Sequence, residues 1–187
     1  LAAERSRRAV WLIDLDLAVQ GQHAAILNDS KRFGALGPDA PASPDGSMFF
    51  TVQPPLRGPD GRPWSDARYL AARQAGGRNL WVTRFRRELL RGPQQPHIAP
   101  SQAYWSALRQ HADVVVLDAP AADRSTTALA VAPYADSTVI VVAADEGDVK
   151  RTAALRDGII AAGGRCAGIV FNRAQVETPG FIRAILP

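Results

Sequence analysis

The chain has 187 residues, 47% hydrophobic and 21% charged, a make-up that allows one domain with a real core and excludes a disordered or fibrous chain. A single cysteine, Cys166, excludes an internal disulfide and a multi-cysteine metal site, and no apolar run approaches the roughly 20 residues that cross a bilayer. The net charge of +4 rests almost wholly on arginine, with only Lys31 and Lys150 as lysines. Arginine set by coding bias is a poor sign of a nucleic-acid partner, so none is expected.

The opening "LAAERSRR" is not a signal peptide, because its charge follows its apolar residues. It reads as the tail of a helix running into a strand, and the natural chain is expected to extend upstream of Leu1. Val10–Asp14 is then the first buried strand, apolar throughout and ending on an acid. An irregular insertion follows over residues 34–66, its Gly- and Pro-crowded part running from Gly34 to Pro63. Within it "SMFFTVQ" has strand character, and "PLRGPDGRPW" carries a turn signal that can close a hairpin. "NLWVT", Asn79–Thr83, is a weaker strand. Near it Arg78, Arg84, Arg86, Arg87 and Arg91 concentrate positive charge, either as a solvated face or as a seat for an anionic partner.

"SQAYWSALRQHA" starts on an N-cap, Ser101, and sets Tyr104, Trp105 and Leu108 on one helical face. Val114–Asp118 is a strand, and "STTALAVA" is a short helix that Pro133 should end. Thr138–Ala143 and Ala167–Phe171 are further strands, joined by the helix in "DVKRTAALRDGIIAAGG", which stops at Gly163-Gly164. None of the main strands alternates apolar with polar, so both faces of each should be covered. The order strand, helix, strand predicts a single α/β domain over residues 1–187, doubly wound, with a mostly parallel sheet flanked by helices.

Asp14 and Asp16 close the first strand and Asp118 closes "DVVVLDAP". Open α/β sheets bind ligands at the carboxyl ends of their strands. Three carboxylates there would seat a hard cation such as magnesium, which takes a few carboxylates together with phosphate oxygens. The alternative is that each acid caps a following turn or helix.

"VWLIDLDL" resembles the second aspartate motif of the MinD/ParA-type P-loop ATPases and of the related bacterial tyrosine kinases of capsule and exopolysaccharide biosynthesis. The stretch from "ADVVVLDAPAADRSTTALAVAPYADSTVIVVAADEG" to "GIVFNRA" is similar to the same family from its Walker B strand onward. The resemblance covers about half the chain and implies a three-layer P-loop NTPase-like fold, with ATP and magnesium as cofactors. By position it implies Asp118 in the Walker B role, holding magnesium through water, Asp14 nearest the metal or attacking group, and Asp16 beside it. It places Asn172 and Arg173 near the adenine. An amide donates and accepts at once, which suits a base edge, although capping a strand end would use Asn172 equally well.

Two departures qualify the resemblance. A P-loop requires G-x-x-x-x-G-K-[ST], and no Gly-Lys pair occurs here. Either the loop precedes Leu1 or it has been lost, and strong ATPase activity from these residues is not expected. The kinase branch also carries a C-terminal tyrosine cluster, whereas the tyrosines here are Tyr69, Tyr104 and Tyr134. The tail "GFIRAILP" could instead form an amphipathic segment through Phe181, Ile182, Ile185 and Leu186, packing on the domain or docking at a membrane. His23, His97 and His111 have no metal-ligand spacing, Cys166 reads as an inert small hydrophobe, and Ser125, Thr126 and Thr127 read as helix caps.

The expectation from these residues is a cytoplasmic regulatory protein of exopolysaccharide or capsule synthesis, peripheral to the inner face of the membrane. It resembles a tyrosine kinase but is degenerate, and its partner would be a membrane polysaccharide co-polymerase or another protein. A MinD/ParA-type positioning ATPase, dimerising on ATP, is the first alternative. A non-enzymatic binding module on the same fold, using the insertion and the arginine cluster, is the second.

Overall fold

A computed structural model describes residues 9–77, 79–145 and 147–173. The opening helix tail, Arg78 and the amphipathic tail at Phe181–Leu186 lie outside the described residues. The chain forms two compact units, residues 1–131 and 132–187. No helix among the described residues is long and apolar enough to cross a membrane.

In the first unit the strands β1 (Ala9–Asp14), β2 (Ala40–Pro41), β4 (Leu70–Gln74), β5 (Leu80–Phe85) and β7 (Ala112–Asp118) form a five-stranded sheet in the order β2-β4-β5-β1-β7. A separate antiparallel pair joins β3 (Phe50–Gln53) to β6 (Gln95–Ile98). The helices are α1 (Gly21–Asn28), the single turn α2 (Ser30–Phe33), α3 (Gln102–His111) and α4 (Thr127–Val131). The expected mixed α/β class holds, and the centre of the sheet is parallel: β1 runs parallel to both β5 and β7. The sheet continues antiparallel through β4 and β2, a change of direction that strand-by-strand apolarity does not encode.

Alternate residues of β5 serve opposite faces. Val82 packs with Ile26 of α1 and with Ala75 and Leu12. From the other side Phe85 meets Phe50, ring centroids 5.4 Å apart, and stacks over Tyr69. Phe49 stacks on Trp105 at 5.3 Å and contacts Tyr104 at 5.0 Å, both on the buried face of α3. Two consecutive residues of the insertion thus join α3 to the sheet. The Tyr104 hydroxyl donates to the Ala42 carbonyl, and burial pushes its pKa far up. Ser101 caps α3 by accepting from the Tyr104 N–H, as its position predicts.

The insertion is therefore irregular in backbone but part of the core. "SMFFTVQ" supplies β3, and "PLRGPDGRPW" closes back on itself through an antiparallel bridge between Arg57 and Pro63. The strand β4 escapes a reading by propensity because Ala71 and Ala72 favour helix, yet both are fully buried.

The second unit contains β8 (Thr138–Ala143), α5 (Val149–Ala161) and β9 (Cys166–Asn172), with β8 and β9 parallel. The Asp148 carboxylate caps α5 by accepting from the N–H groups of Lys150 and Arg151. Gly163, at φ +90°, ends the helix as predicted. Both-face burial holds for β1 but not for every strand. Val114 and Val116 of β7 are 39% and 47% exposed, and Val141 and Phe171 of the second unit 65% and 63%. An unbroken apolar run reads the same whether its second face is covered or open, so the sequence could not separate these strands from β1.

One backbone contact ties the start of the insertion to the β4–β5 turn. Gly34 and Gly76 have φ values of +76° and +58°, and a Cβ on Gly76 would collide with the Phe33 carbonyl oxygen. Gly76→Ala should therefore destabilise the protein by about 2 kcal/mol or more, read from denaturant unfolding, with an unchanged transition counting against this contact.

Candidate functional site

Asp14 is the last residue of β1 and Asp118 the last of β7, and the two are partners in the parallel register. The chain leaves β1 by a tight loop in which the Leu15 N–H donates to the Asp118 carbonyl at 2.8 Å and the Gln20 N–H to the Asp16 carbonyl at 2.9 Å. Gln20 then adopts a left-handed conformation, φ 55°, before α1 begins. Its side-chain amide exchanges two hydrogen bonds of 2.8 Å with the backbone of Phe85, which fixes the loop against the end of β5.

Asp14 is 4% exposed. One of its carboxylate oxygens accepts from the Asp16 N–H and the other from the Gln22 N–H, each at 2.9 Å. Its own N–H donates to the Thr83 hydroxyl on β5. Gln22 also reaches Asp118, where its side-chain nitrogen donates to Oδ2 at 2.6 Å. Gln22 thus joins the two acids: its backbone answers one carboxylate and its side chain the other. It lies in the first turn of α1, where unpaired N–H groups favour a negative partner.

Burial pushes the Asp14 carboxyl above its ordinary value of 3.8, and the negative charges of Asp118 and Asp16 push it the same way. The two backbone N–H groups oppose this by holding the ionised form. Asp16 belongs to a different set of contacts. Its Oδ1 accepts from the Val19 N–H at 3.0 Å, and Oδ2 lies 3.7 Å from the Arg124 guanidinium.

The structure therefore brings Asp14 and Asp118 side by side and turns Asp16 to its own loop and Arg124. Among the described residues no group of three or more His, Cys, Asp and Glu side chains is placed to hold a metal ion. Asn172 ends β9 in the second unit and Arg173 follows it; the Asn172 side-chain oxygen accepts from the Arg173 N–H at 2.9 Å. That is the strand-end contact open to an asparagine in this place. Ser125 accepts from the Thr127 N–H, the expected cap. Cys166 makes a long contact of 3.8 Å with the Gly168 carbonyl, and the His111 Nδ1 lies 2.9 Å from the Ala107 carbonyl one helical turn back.

The parts that a magnesium nucleotide would need are not complete in these residues. The chain has no Gly-Lys pair for the phosphates. Each Asp14 oxygen accepts one N–H group and Asp118 Oδ2 accepts one from Gln22, and both carboxylates keep further lone pairs. Gln20, Gln22 and Thr83 were not singled out by the sequence. Thr83 shows only as the end of the weaker strand Asn79–Thr83 and the glutamines only as "QGQH" after the acidic strand end, and a glutamine beside a glycine has no chemistry distinctive enough to be noticed. No family model, no curated protein and no solved structure matches the chain.

Two outcomes follow from this geometry. Asp14→Ala would strip the acceptor from two backbone N–H groups and should cost about 1–3 kcal/mol, whereas Gln22→Ala keeps both backbone bonds to Asp14 and should cost less than about 1.5 kcal/mol. Chemical denaturation of the two variants gives the order, and equal losses would contradict it. The Asp14 carboxyl carbon should titrate above 3.8 by NMR, with Asp118→Asn lowering that midpoint by removing a like charge. A raised native pKa means that the folded state holds the proton longer. The resulting stabilisation is complete below the unfolded value and is lost as pH rises through the folded one.

Proposed function

We propose that the chain is a regulatory, non-catalytic domain of the P-loop-NTPase-like type, resembling the tyrosine kinases of capsule and exopolysaccharide synthesis but degenerate at its nucleotide site. The observation that supports this is the Asp14–Gln22–Asp118 contact. The two acids that the resemblance would give to magnesium and ATP are hydrogen-bonded to the first turn of a helix in the same domain. In this reading the carboxylates fix the loop between β1 and α1, and phosphoryl transfer is not their task.

The wider role rests on the resemblance in "VWLIDLDL" and in the rhythm from "DVVVLDAP" to "FNR". It implies a three-layer, doubly wound domain acting in the cytoplasm or at the inner face of the membrane. The partner is a membrane polysaccharide co-polymerase, which the domain would regulate by binding. A domain of this kind needs a well-fixed surface more than a phosphate cradle, and tyrosines for autophosphorylation are not required of it.

Calorimetric titration with ATP and ADP in the presence of magnesium tests the reading, with Asp118→Ala as the paired variant. No binding in the micromolar range by either protein is the expected result. Micromolar binding that Asp118→Ala weakens about tenfold, or ~1.4 kcal/mol, would overturn it and favour a MinD/ParA-type nucleotide switch.

A further inference from the structure

A second charged cluster, built on different side chains from the acid pair, lies on the neighbouring strands β4 and β5. Arg73 on β4 and Arg84 on β5 share one face of the antiparallel ladder, because Arg84 is opposite Ala71 and Arg73 opposite Val82. Arg86 extends the same alternation past the end of β5. All three guanidinium groups converge on Asp39, a residue of the insertion next to β2. The separations are 3.5 Å from Arg73, 3.7 Å from Arg84 and 3.1 Å from Arg86. Arg84 also pairs with Glu88 at 2.7 Å.

These contacts leave the cluster short of acceptors. Among the described residues two carboxylates answer three guanidinium groups, and at 3.5 and 3.7 Å two of the contacts to Asp39 are longer than a good charge-assisted hydrogen bond. Arg73 Nε donates to the Gly37 carbonyl at 2.7 Å, and Arg86 Nη1 makes a long contact with the Arg68 carbonyl. The Nε of Arg86 is buried with no hydrogen-bond partner. His23, on α1, is 9% exposed, and its Nε2 is buried and likewise without a partner. Burial and the nearby charges of Arg73 and Arg84 hold this imidazole below its ordinary pKa, with Asp39 acting weakly in the other direction.

Unpaired buried polar atoms are costly, and two of them beside a surplus of guanidinium groups mark a place built for more negative charge and more oxygens than one carboxylate supplies. A phosphoryl group carries up to two charges and three terminal oxygens, which arginine forks meet in pairs. We propose that Arg73, Arg84 and Arg86, with His23 beside them, form a binding site for a phosphate-class oxyanion, and that Asp39 occupies it as an internal competitor. Binding displaces the Asp39 carboxylate and with it the segment leading into β2. The site thereby couples the position of the insertion to the anion.

The experiment is calorimetric titration of the protein with inorganic phosphate and with glycerol 3-phosphate, at constant ionic strength set with sodium chloride. The two ligands separate a site for the free ion from one for a phosphomonoester. Wild type should bind at least one of them saturably, one to one. Asp39→Asn removes the competing charge and should tighten binding about fivefold or more, whereas Arg86→Gln should weaken it about tenfold. Arg62→Gln, at an exposed arginine elsewhere, should change nothing. The His23 ring protons, followed by NMR, should titrate at higher pH when the site is filled.

The Asp39→Asn result does not depend on Arg86→Gln folding, which its melting transition checks. Absence of saturable binding in both wild type and Asp39→Asn would overturn the proposal, as would weaker binding in Asp39→Asn or an equal loss in Arg62→Gln. Repeating the Asp39→Asn titration with Asp118→Ala added should leave the affinity unchanged; a loss there would place the anion at the acid pair and equally overturn the proposal.

Discussion

A carboxylate buried at the end of the central strand is the constraint around which the first unit is arranged. Asp14 is almost wholly removed from water, and an ionised group in that position is tolerated only when both oxygens find donors. The donors are the backbone N–H groups of Asp16 and Gln22, so the loop must turn at once and α1 must start where it does. The left-handed Gln20 and its two bonds to Phe85 are the local means of achieving this. Through the Gln22 side chain the same contact reaches β7. Three neighbouring strands are thereby held at their carboxyl ends by side chains and backbone of one short connection.

The opposite face of the sheet is organised by aromatic packing. Phe49 and Phe50 point to different neighbours, one to Tyr104 and Trp105 and the other to Phe85. Rings at centroid separations of about 5 Å supply large buried area with defined edge-to-face or stacked geometry. Asp66, whose carboxylate accepts from the Val52 N–H, and Gln94, whose amide reaches the Pro54 carbonyl, satisfy backbone groups that this packing buries. A segment rich in glycine and proline can therefore belong to the core when its few large side chains carry the contacts.

What could be read from the sequence divides along physical lines. The strands from Val10, Val114, Thr138 and Ala167 were legible because long β-branched runs are scarce outside sheets, and the cap at Ser101 because its hydroxyl has one obvious acceptor role. The short helix α1 was not legible: its first residue is glycine, its N-cap is a left-handed glutamine, and it presents only His23 and Ile26 to the core. Nor was β4, whose alanines carry helical propensity and are extended only because β5 and β2 pair with them. The acids at 14 and 118 were found as a pair, but the Gln22 bridge was not, since backbone donors leave no mark on composition. The arginine concentration was noticed at Arg84 and Arg86 but without Arg73 of β4 or the shared partner Asp39, which join them only through the antiparallel ladder.

The place of β1 in the sheet bears on how the protein is made. It is synthesised before either of its neighbours, since Val10 pairs with Leu80 on one side and Val114 on the other. A ribosome releasing this chain exposes a short, strongly apolar strand whose one edge stays open until β5 emerges, about 70 residues on, and whose other edge waits for β7, about 100 residues on. Parallel pairings across such separations form slowly, because a long loop must close before any contact rewards it. The nascent segment therefore spends its early life as a candidate for chaperone capture or for pairing with a wrong edge. Burying the tip of that strand in a charged residue, Asp14, gives it one group that prefers water until the correct donors arrive.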